Sequence, residues 1–427
     1  MISYKIKTIV ISNGERLPML LESETNMPDY WITLYTINQL RSRGLAVKTI
    51  EQTLQHLKLL MFFLKNNYSE EINLEERFKN AKLLSLSEIE TLCDVCKLHF
   101  EDLTEESLFT KTQTNIKLNS LENFRATNKS KNIRTVNPKS TGHRIRAIRD
   151  YLVWLGNTYL SNVEDFGLKT LSLNDTIKTV TSALEARIPK NYNNDPVSGK
   201  RGLSEEELKT LFSVIDKDSE SNPWKSSFTK TRNELVIFWL YEVGLRRGEL
   251  LNIKMSDLNF QEEKVYILRR PDDSDDPRTN QPVVKTLARK LPISKNLLDL
   301  TYSYLFGIRE RLPESVYHPY LFVADKSGLP MSLSALNKIF SDLKKADSNL
   351  PKNFSPHILR HSWNDNFSKT MDDKKTPEEQ EKQIRSYLMG WVPTSNTAST
   401  YTRRHVEEEA NKALLEMSKN SIITKRE

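Results

Sequence analysis

Cysteine is scarce in this chain, which has only 2 among 427 residues. A disulfide framework needs several pairs, so the sequence excludes a disulfide-stabilised secreted fold and favours a reducing, cytoplasmic setting. No stretch approaches the roughly 20 apolar residues of a membrane-spanning helix. The first residues, MISYKIKTIV, lack the apolar run and small-residue cleavage site of a secretory signal. We therefore expect a soluble, cytoplasmic protein with no membrane partner, whose length predicts two or three domains.

Nucleotide and metal motifs are also missing. No glycine-rich loop of the P-loop type occurs, so nothing indicates ATP binding. Cys93, Cys96 and His99 supply fewer ligands than the four of a structural zinc site. The acidic loop at 272–276 has no partner segment with metal-ligand spacing, and we interpret it as a solvated turn. The sequence therefore predicts no cofactor and no metal.

Positive charge is present, but it is unevenly distributed. The chain has 63 Lys and Arg against 56 Asp and Glu, a net charge of +7. The window 111–150 holds most of this excess, which is typical of a protein that binds a phosphate backbone. A solvated loop beside one ordinary helix face would have the same composition. The candidate DNA-contacting residues in this window are Lys129, Lys131, Arg134, Lys139, His143, Arg144 and Arg149.

Helical periodicity dominates the first half of the chain. Residues 1–27 are interpreted as an extended or poorly ordered lead-in. From 28 to 185, apolar residues recur at spacings of three and four, as in the stripes that start at Ile50 and at Ile145. A long polar stretch around 108–141 separates these stripes and is predicted to be mobile. We predict one helical domain over 28–185.

The second half is predicted to be a separate, mixed domain. Residues 186–202, rich in Pro, Asn, Gly and Lys, are the candidate linker. The catalytic domain, 203–427, would begin at a capping box in which Ser204 and Glu207 satisfy each other's backbone amides. A buried helix at 235–245 and candidate strands at 264–270 and 283–294 follow. The whole chain is therefore predicted to be mainly α, with a small antiparallel sheet in the second domain.

Three segments of this domain could bind a phosphate without a metal. GLRRGELL supplies Arg246, and SPHILRHS supplies His357 and Arg360, which share a face in the first turn of a helix capped at Ser355. YLMGW is followed by a turn-rich segment that ends at Tyr401. Two arginines can hold a phosphate bidentately and stay charged. Each segment alone is ordinary, since an arginine at a helix end is usually a surface or capping residue.

Taken in order, these segments resemble the tyrosine recombinase (phage integrase) family. The matching elements are GLRRGELL, VVKT, SPHILRHSW, YLMGW and STYTRRH, which together span 244–405. The resemblance implies that Arg246 and Arg360 clamp the scissile phosphate. It implies that His357 assists by hydrogen bonding and proton transfer. Trp391 stands where most members have His, and its indole N–H can still donate to a phosphate oxygen.

The resemblance also assigns the acid and the nucleophile. Lys285, in VVKT, would be the general acid that protonates the departing 5′ oxygen. The run from Lys285 to Pro292 is one residue shorter than the family pattern, so Lys290 stays open as the alternative. Tyr401 would attack the phosphate and form a 3′-phosphotyrosyl link that stores the bond energy for religation. The segment from Trp391 to Tyr401 is one residue longer than usual.

The family further implies a fold, a reaction and partners. The first domain would be a SAM-like core-binding domain and the second the catalytic domain. The protein would cut and rejoin double-stranded DNA at attachment sites, for integration or excision of a mobile element. It would act as a homotetramer assembled through its C-terminal helix, with DNA-bending accessory proteins as further partners. Two alternatives remain. One is a type IB topoisomerase-like enzyme, and the other is a DNA-binding regulator or architectural protein with a decayed recombinase fold.

Overall fold

The computed structural model describes residues 4–66, 72–103, 134–161, 168–190 and 201–392, together with 394–395, 397–398 and 417. Chain contacts divide the protein into two compact units. The first comprises Met1–Ile11 and Arg16–Asn194, and the second comprises Ser12–Glu15 and Asp195–Glu427. Most of the long polar stretch, including Lys129 and Lys131, lies outside the described residues, as do residues 191–200 and the candidate nucleophile Tyr401.

The first unit is a helical bundle preceded by a hairpin. Its elements are β1 (Tyr4–Val10), β2 (Arg16–Glu22), α1 (Tyr30–Tyr35), α2 (Val47–Lys65), α3 (Leu74–Lys79), α4 (Leu86–Val95), α5 (Pro138–Ser161) and α6 (Leu168–Ala186). Both predicted stripes form buried helix faces: Ile50 and Leu54 on α2 and Ile145 and Ile148 on α5 are almost fully buried. Helix α2 packs against β2, α4 and α5, so it forms the centre of this core.

The N-terminal hairpin differs from the predicted lead-in. Strands β1 and β2 pair antiparallel, with Tyr4 opposite Glu22 and Val10 opposite Arg16. Tyr4 and Leu20 are buried, and both strands contact α2. The described residues of the hairpin are therefore extended, which is one of the two predicted alternatives for 1–27, but they are paired and packed on α2. Each strand is short, and it is stabilised by its partner strand and by α2, which no local pattern reveals.

The second unit is mostly helical with one small sheet. Its elements are α7 (Glu205–Ile215), α8 (Ser227–Glu242), α9 (Arg247–Leu251), β3 (Leu258–Asn259), β4 (Lys264–Ile267), β5 (Arg289–Pro292), α10 (Lys295–Gly307), α11 (Leu333–Ala346), α12 (Pro356–Asp373) and α13 (Glu378–Met389). Helix α8 is central and contacts α7, α9, α10 and α12. The capping box at the start of α7 is confirmed: Ser204 N donates to Glu207 Oε2 at 2.7 Å and Glu207 N to Ser204 Oγ at 3.2 Å.

The sheet is antiparallel in the order β3-β4-β5, with Val265 opposite Leu291 and Ile267 opposite Arg289. The prediction of a mainly helical domain with a small antiparallel sheet is confirmed, but the strand limits of 264–270 and 283–294 are too long. Residues 268–288 instead form an irregular loop. One reason is that Leu287 N donates to Gly390 O at 2.9 Å, so its amide pairs with the end of α13 and not with a strand.

The acidic part of this loop is not the solvated turn that the sequence predicts. Lys254 Nζ lies 2.8 Å from Asp273 Oδ2 and 2.8 Å from Asp275 Oδ2. The Asp276 side chain is fully buried and pairs with Arg278 at 2.8 Å. These ion pairs fix the start of the loop that leads to Lys285. Separately, none of the helices in the described part of the chain is long and apolar enough to cross a membrane.

Candidate active site

The centre of the site is Glu249, a buried carboxylate on the short helix α9. This helix can pack closely on the 268–288 loop because Gly248 has no side chain, and a Cβ there would lie 2.2 Å from Val283 O. Glu249 is 1% exposed and accepts a hydrogen bond from Arg246 N at 2.8 Å. Thr286 Oγ1, from the loop, donates to Glu249 Oε1. The carboxylate therefore joins the start of α9 to the loop.

Three arginines surround this carboxylate. Arg289 Nη2 donates to Glu249 Oε2 at 3.0 Å. Arg246 Nη1 lies 3.8 Å from Oε1 and Arg360 Nη1 lies 3.8 Å from Oε2. Burial by itself would raise the pKa of Glu249, but Arg289, Arg360 and the hydrogen bonds it accepts outweigh that effect, so its pKa lies below the usual range. One negative charge among three positive ones leaves an excess of positive charge that suits a phosphate.

Arg360 is held almost entirely by backbone carbonyls. It lies on α12, is 2% exposed, and donates through Nη1 to Gly244 O and through Nη2 to Met389 O at 3.1 Å. Its guanidinium carbon lies 5.7 Å from the centre of the Trp391 ring, within the range of a cation–π contact. Trp391 itself is buried beside Met389 and Ala398. Arg360 and Trp391 are therefore neighbours, as the resemblance implies.

His357 lies at the first turn of α12, three residues before Arg360. Ser355 is the N-cap residue and Pro356 the first helical residue, as predicted, although the Ser355 side chain makes no capping hydrogen bond. His357 is exposed while Arg360 is buried. The first turn of an 18-residue helix presents backbone N–H groups and a partial positive charge, which favours an anion there.

Lys285 and Lys290 have different surroundings. Lys285 is exposed and lies in the loop between the buried Val284 and Thr286, next to the contact with Glu249. Lys290 lies on β5, with Nζ 2.8 Å from Glu262 Oε2. Hydrogen bonding to Glu262 raises the pKa of Lys290 above its usual range. Lys290 is therefore engaged with Glu262, whereas Lys285 adjoins Thr286, which bonds to Glu249.

Comparison with known proteins shows which proteins the second unit resembles. Residues 201–408 match the family model described as "Phage integrase family". A tyrosine recombinase XerA of Pyrococcus furiosus is 30% identical over 223 residues, which are 52% of this chain and 64% of that protein. A tyrosine recombinase XerA of Pyrococcus horikoshii is 29% identical over 265 residues, 60% of this chain and 79% of that protein. Residues 201–408 of the second unit are therefore similar to the phage integrase family, and the chain spans just under two thirds of the length of the Pyrococcus furiosus relative.

A solved structure was also found by fold comparison. It is the integrase of the Tn1549 transposon in complex with circular intermediate DNA. The alignment covers 87% of this chain and 94% of that chain, at 14% identity and a TM-score of 0.48.

Two residues of this site, Thr286 and Arg289, are absent from the sequence prediction. Both are buried and both bond to Glu249. A signal for Arg289 does exist in the sequence: on β5 it alternates with Lys290 and shares a face with the buried Leu291. An arginine on the inward face of a strand needs a charged partner. Thr286 carries no such signal, because its role depends only on where the loop folds.

The predicted DNA-contacting arginines of the first unit are largely engaged within that unit. Arg134 pairs with Glu101 and Asp102, and Arg149 pairs with Asp150 and Glu185. Arg144 donates to Cys96 O at 3.0 Å and to Leu98 O, beyond the C-terminus of α4.

By contrast, Lys139 and His143 are exposed on α5, and Arg146 continues the same face. These three side chains are the better candidates for phosphate contacts among the described residues of the predicted window.

Proposed function

We propose that this protein cuts and rejoins double-stranded DNA at specific sites through a covalent tyrosyl intermediate. The observation that carries the proposal is the convergence of Arg246 and Arg360 on the buried carboxylate of Glu249. Each guanidinium can offer two parallel N–H groups to phosphate oxygens. The pair would stabilise the extra negative charge of the pentacoordinate phosphorane in a partly desolvated site.

The remaining groups have complementary tasks. Tyr401 passes its phenolic proton to His357 as its Oη attacks the phosphorus, the P–O5′ bond breaks, and the Tyr–O–P bond keeps the phosphate attached to the 3′ end. Lys285 donates the proton that the departing 5′ oxygen needs. His357 hydrogen-bonds a non-bridging oxygen and assists proton transfer, and Trp391 donates its indole N–H to the phosphate. In rejoining, the 5′ hydroxyl returns its proton and displaces Tyr401.

The position of the described chain supports Tyr401 as the nucleophile. Ala398 is buried beside Trp391, which contacts Arg360. Two residues lie between Ala398 and Tyr401, so chain length alone limits their Cα separation to about 11 Å. A tyrosine side chain can bridge much of that distance to the arginine cluster.

The partners follow from the same family. The relatives found are named tyrosine recombinases, and we propose specific double-stranded DNA sites as the substrate of this chain. Integration or excision of a mobile element is the proposed biological role, in a homotetramer that exchanges strands between two sites with the help of DNA-bending proteins. The competing functions are site-independent relaxation of supercoiled DNA and regulation by DNA binding without cleavage.

Covalent trapping tests the reaction. Duplexes that bind the protein are first selected from a randomised pool and then nicked at successive positions. When the protein cleaves close to a nick, a short fragment diffuses away, so rejoining is prevented and the covalent adduct accumulates. A protein–DNA adduct on a denaturing gel that disappears with Tyr401→Phe is the expected result. Binding without any adduct would favour the regulator. Relaxation of a plasmid that lacks the selected sequence would favour the topoisomerase.

Matched lysine variants test the acid. Lys285→Met should slow cleavage about 10²–10⁴-fold, the typical contribution of a general acid. Lys290→Met should change the rate less than about fivefold, because it removes only a solvent-exposed ion pair with Glu262. The reverse pattern would assign the acid to Lys290.

A further inference from the structure

Arg289 links three parts of the second unit that the proposed reaction needs in one arrangement. Its side chain is 1% exposed. Nη1 and Nη2 donate to Glu249 Oε1 and Oε2 at 3.2 and 3.0 Å. Nη1 also donates to Thr286 Oγ1 at 3.2 Å, and Nε donates to Leu388 O at 2.7 Å. One guanidinium therefore joins helix α9, the loop of Lys285 and the C-terminus of α13.

The end of α13 is fixed by three successive carbonyl groups. Leu388 O accepts from Arg289, Met389 O accepts from Arg360, and Gly390 O accepts from Leu287 N at 2.9 Å. The last carbonyls of a helix lack partners within the helix and carry partial negative charge, so arginines stabilise them well. Trp391 follows directly. The position of Trp391 is thereby tied to the loop that carries Lys285.

The packing around Gly390 leaves little freedom at this junction. Its φ of +65° is a left-handed conformation, and a Cβ there would lie 2.6 Å from Arg289 Nη1 and 2.9 Å from Thr286 Cβ. The loop, the arginine and the helix end are thus in direct contact. A displacement of Arg289 must therefore move Thr286, and with it the adjacent Lys285.

We propose that Arg289 is a positioning residue that holds the loop of Lys285 against the end of α13, so that the acid is aligned with the departing 5′ oxygen. The inference rests on the proposed function, and in particular on Lys285 as general acid. Arg289 is not expected to contact DNA, because its side chain is 1% exposed and its Nε, Nη1 and Nη2 all donate to Glu249, Thr286 or Leu388. Its effect would act through Lys285.

The substitution Arg289→Lys separates charge from geometry. Lysine keeps the positive charge that balances Glu249, but its single ammonium cannot reach the carboxylate, Thr286 and Leu388 O together in the fork geometry of arginine. The loop should therefore loosen while the buried carboxylate stays compensated.

A sulfur leaving group makes the acid unnecessary and supplies the discriminating readout. Once the adduct of the parent protein has located the cleaved bond, the same selected duplex is made with sulfur in place of the bridging 5′ oxygen. A thiol ionises readily, with a pKa of roughly 8.5 for cysteine, so a thiolate departs without a proton donor. Arg289→Lys should cleave the oxygen duplex about 10–100-fold more slowly than the parent, the cost of a misplaced acid. On the sulfur duplex its rate should approach that of the parent.

Two variants calibrate this result. Arg385→Lys is the matched control, since Arg385 is also a fully buried arginine on α13, paired with Glu381 and hydrogen-bonded to Ser368. It should lower the melting temperature and change both rates by the same factor. Arg246→Ala should remain slow on both duplexes, because sulfur does not replace the phosphate clamp.

The outcomes decide between the two proposals. If Arg289→Lys is as fast as the parent, or equally slow on both duplexes, Arg289 does not position the acid. If Arg289→Lys fails to fold, Thr286→Val serves as the second variant, because it removes only the hydroxyl that bonds to Arg289 and Glu249. Thr286→Val should likewise be slow on the oxygen duplex and recover on the sulfur duplex. Absence of this selective recovery would overturn the inference. If the parent forms no adduct at all, the proposed function fails first.

Discussion

Gly248 gives a direct test of whether the loop of Lys285 must be seated tightly on helix α9. In Gly248→Ala the new Cβ would lie 2.2 Å from Val283 O and 2.9 Å from Val283 C. Cβ contacts below 3.0 Å are essentially never seen, so the carbonyl must retreat by about 0.8 Å. Val283 is two residues from Lys285, and the displacement should therefore reach the proposed acid.

The expected loss in rate is larger than the loss in stability. A misplacement of about 1 Å in a catalytic group can cost about 10²-fold in rate, so we expect cleavage to slow about 10–100-fold. Overpacking costs about 1–3 kcal/mol, whereas alanine in place of glycine in a helix recovers about 0.5–1 kcal/mol. The free energy of unfolding should therefore fall by no more than about 2.5 kcal/mol.

Single-turnover cleavage of a selected, nicked duplex measures the rate, and thermal unfolding measures the stability. The control is Gly307→Ala, because a Cβ at Gly307, the last residue of α10, meets nothing within 4 Å. That variant should cleave at the parent's rate and be up to about 1 kcal/mol more stable, because alanine replaces a helical glycine without a clash. A Gly248→Ala protein that binds DNA and cleaves within twofold of the parent would show that close seating of the loop on α9 is not needed, which would refute this reasoning.

Two further predictions concern charge. Arg144→Ala should lower the melting temperature, because it removes the donor to the Cys96 and Leu98 carbonyls, and should leave the salt dependence of DNA binding unchanged. The double variant Lys139→Ala, Arg146→Ala should show the opposite behaviour. Its plot of log affinity against log salt concentration should have a slope smaller by about 1.8, and its melting temperature should be unchanged. An exchange of these two phenotypes would contradict the assignment. Because the pKa of Glu249 lies below its usual range, its ionised form stabilises the fold above about pH 4.5, and this contribution is lost as the pH falls through the lower, folded-state value. Glu249→Gln should therefore lower the free energy of unfolding by about 3 kcal/mol at pH 7. Measured by urea unfolding at a series of pH values, the stability of the variant should fall less steeply in acid than that of the parent. Parallel pH profiles of the variant and the parent would contradict this prediction.

Local features of the fold could be predicted because their causes lie within a few residues of each other. The capping box of α7 joins Ser204 and Glu207, three positions apart. The start of α12 follows from Ser355 and Pro356. The buried stripes of α2 and α5 follow from helical spacing. In each case the residues that specify the feature are neighbours along the chain.

The interior of the site depends on contacts between residues that are far apart. Glu249 and Arg289 are 40 positions apart, and Arg289 and Leu388 are 99 positions apart. No periodicity connects such residues. The basic window 111–150 also depends on distant contacts. Arg144 and Arg149 bond to partners within the first unit, whereas Lys139 is exposed, and the sequence alone does not distinguish these cases.

The two clamp arginines differ in how far they are fixed before DNA binds. Arg360 is buried, and its guanidinium is oriented by Gly244 O, Met389 O and the carboxylate of Glu249. The Arg246 side chain is 28% exposed and lies 3.8 Å from the same carboxylate. When the charged groups of a site are oriented before the reaction, they need not reorganise in the transition state. This preorganisation is a main source of electrostatic stabilisation of the transition state. In the proposed reaction Arg360 would supply the fixed half of the clamp, and the more exposed Arg246 would supply the other half. Glu249 makes both possible, because it allows positive charges to lie close together before the phosphate arrives.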